Sequence, residues 1–268
     1  MRISVITVSL NRAHEIEKTI QSVLNQSYPN IEYWIIDGGS TDGTLPILER
    51  YKDRLNYISE KDKGIYHAMN KGIRRVNGDY LLFLNAGDHF FLSTSLQTLL
   101  INGVANADLI FGNLMMVEKN YSWEKRYPVK LSFDFFLKDF LPHPATLIKK
   151  SLFDLVGSYN ENNRIVSDWE FFLHVICKYN ASYKYVDKPI SVFHTDGISS
   201  VENSLSIDEK NRILELHYPN FMDDYKALDE YRSELQHIRN SRLHSLVSAV
   251  LSNQFYKLIK GKTTRLQR

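Results

Sequence analysis

The chain contains a single cysteine, Cys177, among its 268 residues. One thiol cannot form an internal disulfide or a cysteine metal cluster, and this scarcity is typical of cytosolic proteins. No stretch approaches the ~20 apolar residues that a membrane span needs. The first residues, MRISVITVSL, resemble a strand and lack the three regions of a signal peptide. These absences predict a cytoplasmic protein.

Two common nucleotide-binding signatures are also missing. The sequence has no G-x-G-x-x-G and no G-x-x-x-x-G-K-[ST], so the standard dinucleotide and P-loop motifs are excluded. It also has no internal repeat and no low-complexity linker.

The formal net charge of +2 conceals an asymmetry. From Tyr231 to Arg268 there are eight Lys and Arg residues and one acidic residue, Glu234, a net charge of 8 − 1 = +7. Residues 1–230 therefore carry 2 − 7 = −5. A mildly acidic body argues against a nucleic-acid-binding protein, and the basic tail indicates a separate partner.

Strand and helix patterns alternate in the first third of the chain. Short apolar runs predict strands, and 3.6-residue periodicity predicts helices between them. This alternation predicts an α/β protein with a mostly parallel central sheet flanked by helices. The expected strands are Ile3–Val8, Tyr33–Ile36, Leu55–Ser59 and Tyr80–Leu84, and the expected helices are His14–Asn25, Pro46–Tyr51 and Ile65–Val76.

Polar stretches follow these four strands: SLNR, DGGSTDG, EKDKG and NAGD. In parallel sheets, ligands bind beyond the carboxyl ends of the strands, which lie at one edge. The sequence therefore predicts a ligand site at that edge. For DGGSTDG alone, a plain turn with helix-capping residues remains an alternative.

Six segments together resemble family-2 glycosyltransferases with the nucleotide-sugar-binding fold called GT-A. They occur in family order over roughly residues 1–200, and the DKGIYHAMNKG form is similar to bacterial enzymes of O-antigen and surface-polysaccharide assembly. The segments are SVITVSLNR, IIDGGSTDGT, SEKDKGIYHAMNKGI, GDYLLFLNAGD, HPATLIKKSLFDLVGSYNE and SDWEFFLHV.

This resemblance implies an inverting transfer of a hexose or N-acetylhexosamine from a nucleotide sugar, most simply a UDP-sugar. Asp168 matches the family's catalytic aspartate and is expected to deprotonate the acceptor hydroxyl. A cap of the following helix is the alternative role, and Ser167 with Glu170 forms a capping-box pattern. The expected acceptor-binding residues are His143, Trp169 and Glu170. For His143 a structural role stays open.

The metal motif departs from the family pattern. Asn85, Ala86, Gly87 and Asp88 stand where the family has Asp-x-Asp. Mg²⁺ and Mn²⁺ prefer carboxylate and diphosphate oxygens, so Asp88 is the expected ligand. The resemblance implies His194 as a second ligand, with a structural histidine as the alternative. This departure predicts a lower affinity for a divalent metal than the family motif provides.

The resemblance also implies donor-binding residues at the strand ends and on the third helix. Asp37 would contact uracil or ribose, and Asp62 and Lys71 would contact uridine, sugar or phosphate. For Arg12 an ordinary solvated position is an equal alternative. The full donor set is Thr7, Ser9, Asn11, Arg12, Asp37, Gly39, Ser40, Asp62, Gly64, Ala68, Asn70, Lys71, Asn85 and Ala86.

We expect three segments: a donor-binding half at 1–115, an acceptor-binding and catalytic half of the same domain at 116–218, and a basic amphipathic helical tail at 219–268. The tail's apolar stripe suits the cytoplasmic face of an anionic inner membrane, where a lipid-linked saccharide acceptor would lie. Packing on the body or in a homodimer is the alternative. The rival functions are a sugar-phosphate nucleotidyltransferase and a non-catalytic nucleotide-sugar-binding protein.

Overall fold

The computed structural model describes residues 1–100, 106–119, 121–195 and 203–240. The chain forms two compact units, Met1–Lys210 and Asn211–Arg268. In the described part of the chain, nine strands of the first unit form one sheet. No helix in these ranges is long and apolar enough to cross a membrane.

The first four strands are parallel and lie in the order β3-β2-β1-β4. Every residue of β1 is buried, and the strand is paired with β2 on one side and with β4 on the other. These strands confirm the predicted α/β alternation. Their bounds are β1 Ile3–Ser9, β2 Ile31–Asp37, β3 Asn56–Ser59 and β4 Tyr80–Phe83.

Three helices connect these strands: α1 Ile16–Leu24, α2 Thr44–Arg50 and α3 Ile65–Arg75. Helix α3 packs very closely on the sheet at Gly72. A Cβ atom built on Gly72 would lie 2.6 Å from Cγ2 of Ile6, so this position has no room for a side chain. Close packing of α3 brings its polar residues to the edge of the sheet.

The remaining strands extend the sheet as β8, β6, β9 and β5, with β7 paired to β6. β4 and β6 are both antiparallel to β8, whereas β6 and β9 are parallel. β6 crosses the expected boundary at residue 115, so the two expected halves share one sheet. The bounds are β5 His89–Phe90, β6 Leu109–Glu118, β7 Tyr121–Lys125, β8 Thr146–Lys149 and β9 Tyr183–His194.

Four helices cover this second part of the sheet. They are α4 Ser95–Leu100, α5 Phe133–Lys138, α6 Ser151–Val156 and α7 Ser167–Leu173. A 3₁₀ turn at His143–Ala145 precedes β8, and α7 continues into a π-helical turn at His174–Lys178. The rings of Phe83, Phe153, Tyr159 and Phe171 form one contiguous cluster that joins β4 to α6 and α7.

Helix α8, Asn203–His217, spans the boundary between the units, and α9, Pro219–Asn240, belongs to the second unit. α9 contains no buried residue. These helices agree with the expected C-terminal helical part. The apolar stripe predicted for Arg242–Lys260 lies outside the described residues.

Candidate functional site at the carboxyl edge of the sheet

The strand order reverses between β1 and β4, and ligands of open α/β sheets bind at such a switch point. Ser9 ends β1, and Asn85 follows β4. Both residues carry a buried side-chain oxygen, Oγ of Ser9 and Oδ1 of Asn85, without a hydrogen-bond partner in the described structure. A polar ligand at this edge would satisfy both atoms.

Asp37 organises its own loop. Its Oδ2 accepts hydrogen bonds from the backbone N–H groups of Gly39 and Ser40 and from the hydroxyl of Ser59. Its Oδ1 accepts the hydroxyl of Ser40 at 2.5 Å, and the residue is fully buried. This placement differs from the expected direct contact with uracil or ribose, because the carboxylate faces the loop. Gly39, with φ at +84°, is exposed and leaves its backbone accessible.

The loops after β1 and β2 are bonded to each other. The backbone N–H of Asn11 donates to Ser40 Oγ, and the N–H of Thr41 donates to Asn11 Oδ1. Arg12 forms an exposed ion pair with Glu15 at 2.9 Å. Thr7 is fully buried, and its hydroxyl lies 3.0 Å from that of Tyr33. Thr7 therefore belongs to the core, contrary to its expected donor contact.

A buried charge cluster lies between the loop after β3 and helix α3. Lys71 forms ion pairs with Asp62 and with Glu60, the latter at 3.0 Å, and only 5% of its side chain is exposed. His67 Nδ1 lies 3.0 Å from Asp62 Oδ1. Asp62 also borders Gly38, since a Cβ built there would lie 3.2 Å from Asp62 Oδ2. The structure thus places Asp62 and Lys71 beside the loop that follows β2.

Two other residues of the expected donor set are part of the scaffold. Asn70 donates to the carbonyl of Tyr159 and accepts the N–H of the same residue, which links α3 to the loop before α7. Ala68 is 4% exposed and packs in the core. Gly64 precedes α3 with φ at +146° and is exposed. Asn70 and Ala68 are therefore corrected from donor contacts to structural positions.

The segment 85–88 replaces the family's metal motif. Ala86 N–H donates to the carbonyl of Val8, so the chain here continues the pairing of β4 with β1. Asp88 is 6% exposed, and the backbone N–H of His194 lies 3.4 Å from its Oδ1. In the described residues, no third carboxylate, imidazole or thiolate joins Asp88 and His194 closely enough to share an ion. Asp88 and His194 supply few metal ligands. They therefore suit a cation whose other ligands come mainly from a diphosphate.

His89 also lies at this position, with its ring centroid 5.8 Å from that of His194. Burial lowers the pKa of His89 to about 4, with further contributions from Lys18 and His194. This imidazole is therefore neutral at physiological pH. Pairing of β5 with β9 places His89 here, and no sequence motif indicates that pairing.

Asp168 lies at the start of α7, and both of its oxygens have partners. Oδ1 is 2.8 Å from the hydroxyl of Tyr66, and Oδ2 is 2.9 Å from Nδ1 of His143. The other ring nitrogen of His143, Nε2, lies 3.3 Å from Nδ2 of Asn85. Four residues thus form one hydrogen-bonded network at the switch-point edge, and they come from α3, the segment after β4, the turn before β8, and α7.

Trp169 and Glu170 differ from their expected acceptor contacts. The ring of Trp169 is 2% exposed, and its Nε1–H donates to the carbonyl of Phe136. Glu170 is 7% exposed and accepts a hydrogen bond from Asn163 at 2.6 Å. Both side chains face the protein interior because α7 packs on α5 and on the loop that precedes α7.

The predicted capping box of α7 is wrong. Val166 occupies the N-cap position and provides no side-chain cap, while Ser167 Oγ accepts the N–H of Asn160. Glu209 of α8 accepts instead the backbone N–H groups of Arg164, Ile165 and Val166, at 2.6 to 3.2 Å. No local sequence signal indicates Glu209, which lies more than 40 residues away along the chain.

This arrangement of strands and helices defines an α/β fold of the GT-A type. The family model "Glycosyl transferase family 2" matches residues 4–160, and the chain belongs to that family. A PGL/p-HBAD biosynthesis glycosyltransferase of Mycobacterium bovis is 31% identical over 175 residues, 63% of this chain and 67% of that protein. An uncharacterized glycosyltransferase of Mycobacterium tuberculosis is 32% identical over 234 residues, 81% and 85% of the two chains. The expected family is confirmed.

Solved structures show the same fold at low sequence identity. TarS of S. aureus in complex with UDP-GlcNAc is 20% identical, with a TM-score of 0.61 over 75% of this chain. The chain spans 61% of the TarS chain. The mannosyltransferase PcManGT of Pyrobaculum calidifontis, in complex with GDP-Man and Mn²⁺, is 17% identical with a TM-score of 0.51, over 72% and 56% of the two chains. These similarities confirm the expected fold.

Proposed function

We propose that this family-2 glycosyltransferase inverts the anomeric centre of a UDP-sugar while it transfers a hexose or N-acetylhexosamine to a sugar hydroxyl. The observation that carries this proposal is the network of Asp168, His143 and Asn85 at the switch-point edge. A buried anion beside the expected sugar position suits removal of a proton from an acceptor hydroxyl. One displacement then inverts the anomeric carbon.

The donor would lie across the ends of β1 and β2. The exposed backbone of Gly39 gives a nucleotide close access, and Asp62 with Lys71 lines the adjacent loop. The unpartnered oxygens of Ser9 and Asn85 provide acceptors for ribose or sugar hydroxyls. UDP is the proposed nucleotide because the TarS complex contains UDP-GlcNAc on a similar fold.

A divalent cation, Mn²⁺ or Mg²⁺, would bind at Asp88 with His194 nearby and would neutralise charge on the departing diphosphate. With one carboxylate, this chain relies more on the diphosphate for metal affinity than an Asp-x-Asp site does.

The proposed acceptor is a lipid-linked oligosaccharide of surface-polysaccharide assembly, resembling O-antigen, at the cytoplasmic face of the inner membrane. The basic tail, +7 from Tyr231 onward, supports peripheral contact with anionic lipid. A truncation that ends before Leu243 should no longer sediment with anionic vesicles but should retain UDP binding. Loss of a dimer, with no vesicle binding by the full chain, would instead assign the tail to self-association.

Two rival functions make different predictions. A sugar-phosphate nucleotidyltransferase would release diphosphate from a nucleoside triphosphate, and the segment VSLNRAHEI lacks the Gly-rich basic loop expected for that reaction. A non-catalytic binding protein would bind UDP-sugars without turnover, and the replaced metal motif favours it. The network around Asp168 favours the transferase.

The test is release of UDP from a panel of UDP-sugars, with and without short-chain lipid diphosphate-GlcNAc or -GalNAc. Acceptor-dependent release, with a β-linked product from an α-linked donor by NMR, supports the proposal. Retention of the donor's configuration, or UDP binding without any release, would contradict it.

A further inference from the structure

The ammonium group of Lys210 lies beside the helix that carries Asp168. Lys210 belongs to the part of α8 that lies in the first unit, and its side chain is partly buried. Its Nζ is 5.1 Å from the ring centroid of Trp169, the residue that follows Asp168. Burial lowers the pKa of Lys210, and the negative charges of Asp168 and Asp139 oppose that shift. An anion close by would stabilise this partly dehydrated cation.

The carboxylates near Lys210 are bonded to other groups. Asp139 pairs with Nζ of Lys125 at 2.6 Å. Both oxygens of Asp168 already have hydrogen-bond partners of their own. Among the residues that the structure describes, no carboxylate forms an ion pair with Lys210. An ammonium group carries three N–H donors, so a bound ligand can supply the anion that Lys210 lacks.

Lys210 and the proposed donor site lie on different sides of Asp168. His143 and Asn85 link this carboxylate to the segment after β4, at the edge where the donor would bind. Lys210 instead lies against Trp169, whose indole N–H donates to a carbonyl of α5. The cation is therefore on the α5 side of the proposed base. A ligand that reaches it from Asp168 is the acceptor and not the donor.

We propose that Lys210 is an anion-binding subsite for the acceptor, where its ammonium binds an acidic group attached to the sugar that reacts. This inference rests on the proposed transferase function and leaves removal of the proton to Asp168. It narrows the acceptor to a sugar that itself carries a phosphate or a carboxylate. The phosphate would be that of a diphosphate-linked lipid, and the carboxylate would be that of a uronic acid.

The charges around Lys210 explain why an acidic acceptor would need this residue. The carboxylates of Asp168 and Asp139 would repel a phosphate or a carboxylate on the acceptor. Lys125 compensates little of this repulsion, because its charge is already paired with Asp139. The ammonium of Lys210 opposes the repulsion and offers charge-assisted hydrogen bonds to acidic oxygens. A neutral sugar gains neither effect, so the contribution of Lys210 should depend on the charge of the acceptor.

Two matched pairs of acceptors test the subsite in the full chain. Short-chain lipid diphosphate-GlcNAc against octyl GlcNAc isolates the phosphate, and octyl glucuronide against octyl glucoside isolates the carboxylate. The donor is the UDP-sugar that the wild type turns over fastest. In at least one pair the acidic member should have the lower KM, and Lys210→Met should reduce that preference about 10- to 100-fold. Lys52→Met, at a position 57% exposed on the surface, is the control and should keep the preference.

Titration of Lys210 by NMR tests the same contact without turnover. In the chain labelled with ¹³C at lysine Cε, Lys210 should titrate below the ordinary lysine pKa, since burial lowers it. Addition of the preferred acidic acceptor, with UDP present, should raise this pKa because a bound anion favours the charged form. The neutral member of the pair should not raise it. Lys210→Arg identifies the signal by its loss and keeps the positive charge, so it also serves if Lys210→Met does not fold.

The possible results separate this inference from the proposed function. Sugar transfer with no preference for either acidic acceptor keeps the transferase and overturns the subsite. Equal losses of Lys210→Met on the acidic and neutral members, or loss of its UDP binding by calorimetry, would also overturn it, because both indicate a structural role. If no acceptor receives sugar from any UDP-sugar, the transferase proposal fails, and the NMR titration still decides whether Lys210 binds an acidic group. An unchanged Lys210 pKa with both acidic acceptors rejects the subsite.

Discussion

Glu209 accepts the backbone N–H of Val166, the residue at the N-cap position of α7. The same carboxylate accepts two further N–H groups and is 6% exposed. A carboxylate from α8 therefore holds the backbone turn that leads into the helix carrying Asp168. A negative charge at a helix N-terminus is also favoured by the helix dipole.

Glu209→Gln should lower the free energy of unfolding by about 2–3 kcal/mol, because an amide loses one charge-assisted acceptor and leaves buried N–H groups poorly bonded. Urea unfolding measures this change. The matched control is Asp208→Asn at the exposed neighbouring position, which should shift the unfolding free energy by less than about 0.5 kcal/mol. Equal effects of the two substitutions would contradict the role of Glu209 in holding the turn before α7.

Asp168→Asn should fold and bind UDP normally but lose sugar transfer by a factor of about 10² or more. The amide keeps the size of the side chain but cannot hold the charge that the proton transfer requires. UDP release with acceptor present measures the rate, and calorimetry measures UDP affinity. Asp154→Asn, at an exposed site on α6, is the control. Near-normal turnover of Asp168→Asn would remove this residue from the reaction.

Asp88→Ala should abolish the part of UDP affinity that depends on Mn²⁺ or Mg²⁺, and His194→Ala should weaken it less. Asp88 is the carboxylate next to the β4 edge, whereas His194 reaches its oxygen through a backbone N–H. Calorimetric titrations of UDP with metal and with EDTA give the difference. Equal UDP affinity and activity of the wild type in EDTA would show that cationic side chains neutralise the diphosphate instead.

Lys71→Ala should destabilise the fold by about 3–5 kcal/mol, because it leaves the Asp62 carboxylate, 9% exposed, without its buried partner. Denaturant unfolding measures the loss. Lys63→Ala provides the control, since that residue is exposed on the loop before α3. A change for Lys71→Ala no larger than for Lys63→Ala would mean that solvent already screens the ion pair.

Much of the fold was predictable from the sequence because its signals are local. Apolar runs and 3.6-residue periodicity depend on neighbouring residues, so they identified β1 to β4 and α1 to α3 within a few residues of their bounds. Polar residues directly after each strand likewise predicted which edge carries the site. Six segments in family order identified the family, which the match over residues 4–160 confirms.

The roles of individual side chains depended on the tertiary structure. Asp37, Asn70 and Trp169 have residue types suited to ligand contact, yet the packing around them turns their polar atoms toward the protein. No local sequence pattern predicts which way a side chain points beyond the end of a strand or helix. Packing against another element determines that direction.

The sequence by itself determined the α/β alternation, the family, and the presence of Asp168 at the start of a helix. Only the tertiary structure placed Tyr66 and His143 on the two oxygens of that carboxylate, across 102 and 25 residues of chain. It alone placed the Glu209 carboxylate on the backbone N–H groups just ahead of α7, where the sequence had predicted a capping box of Ser167 and Glu170. The physical reason is that hydrogen bonds between distant residues form only where packing of helices on the sheet brings their backbones together, and no sequence period encodes that distance.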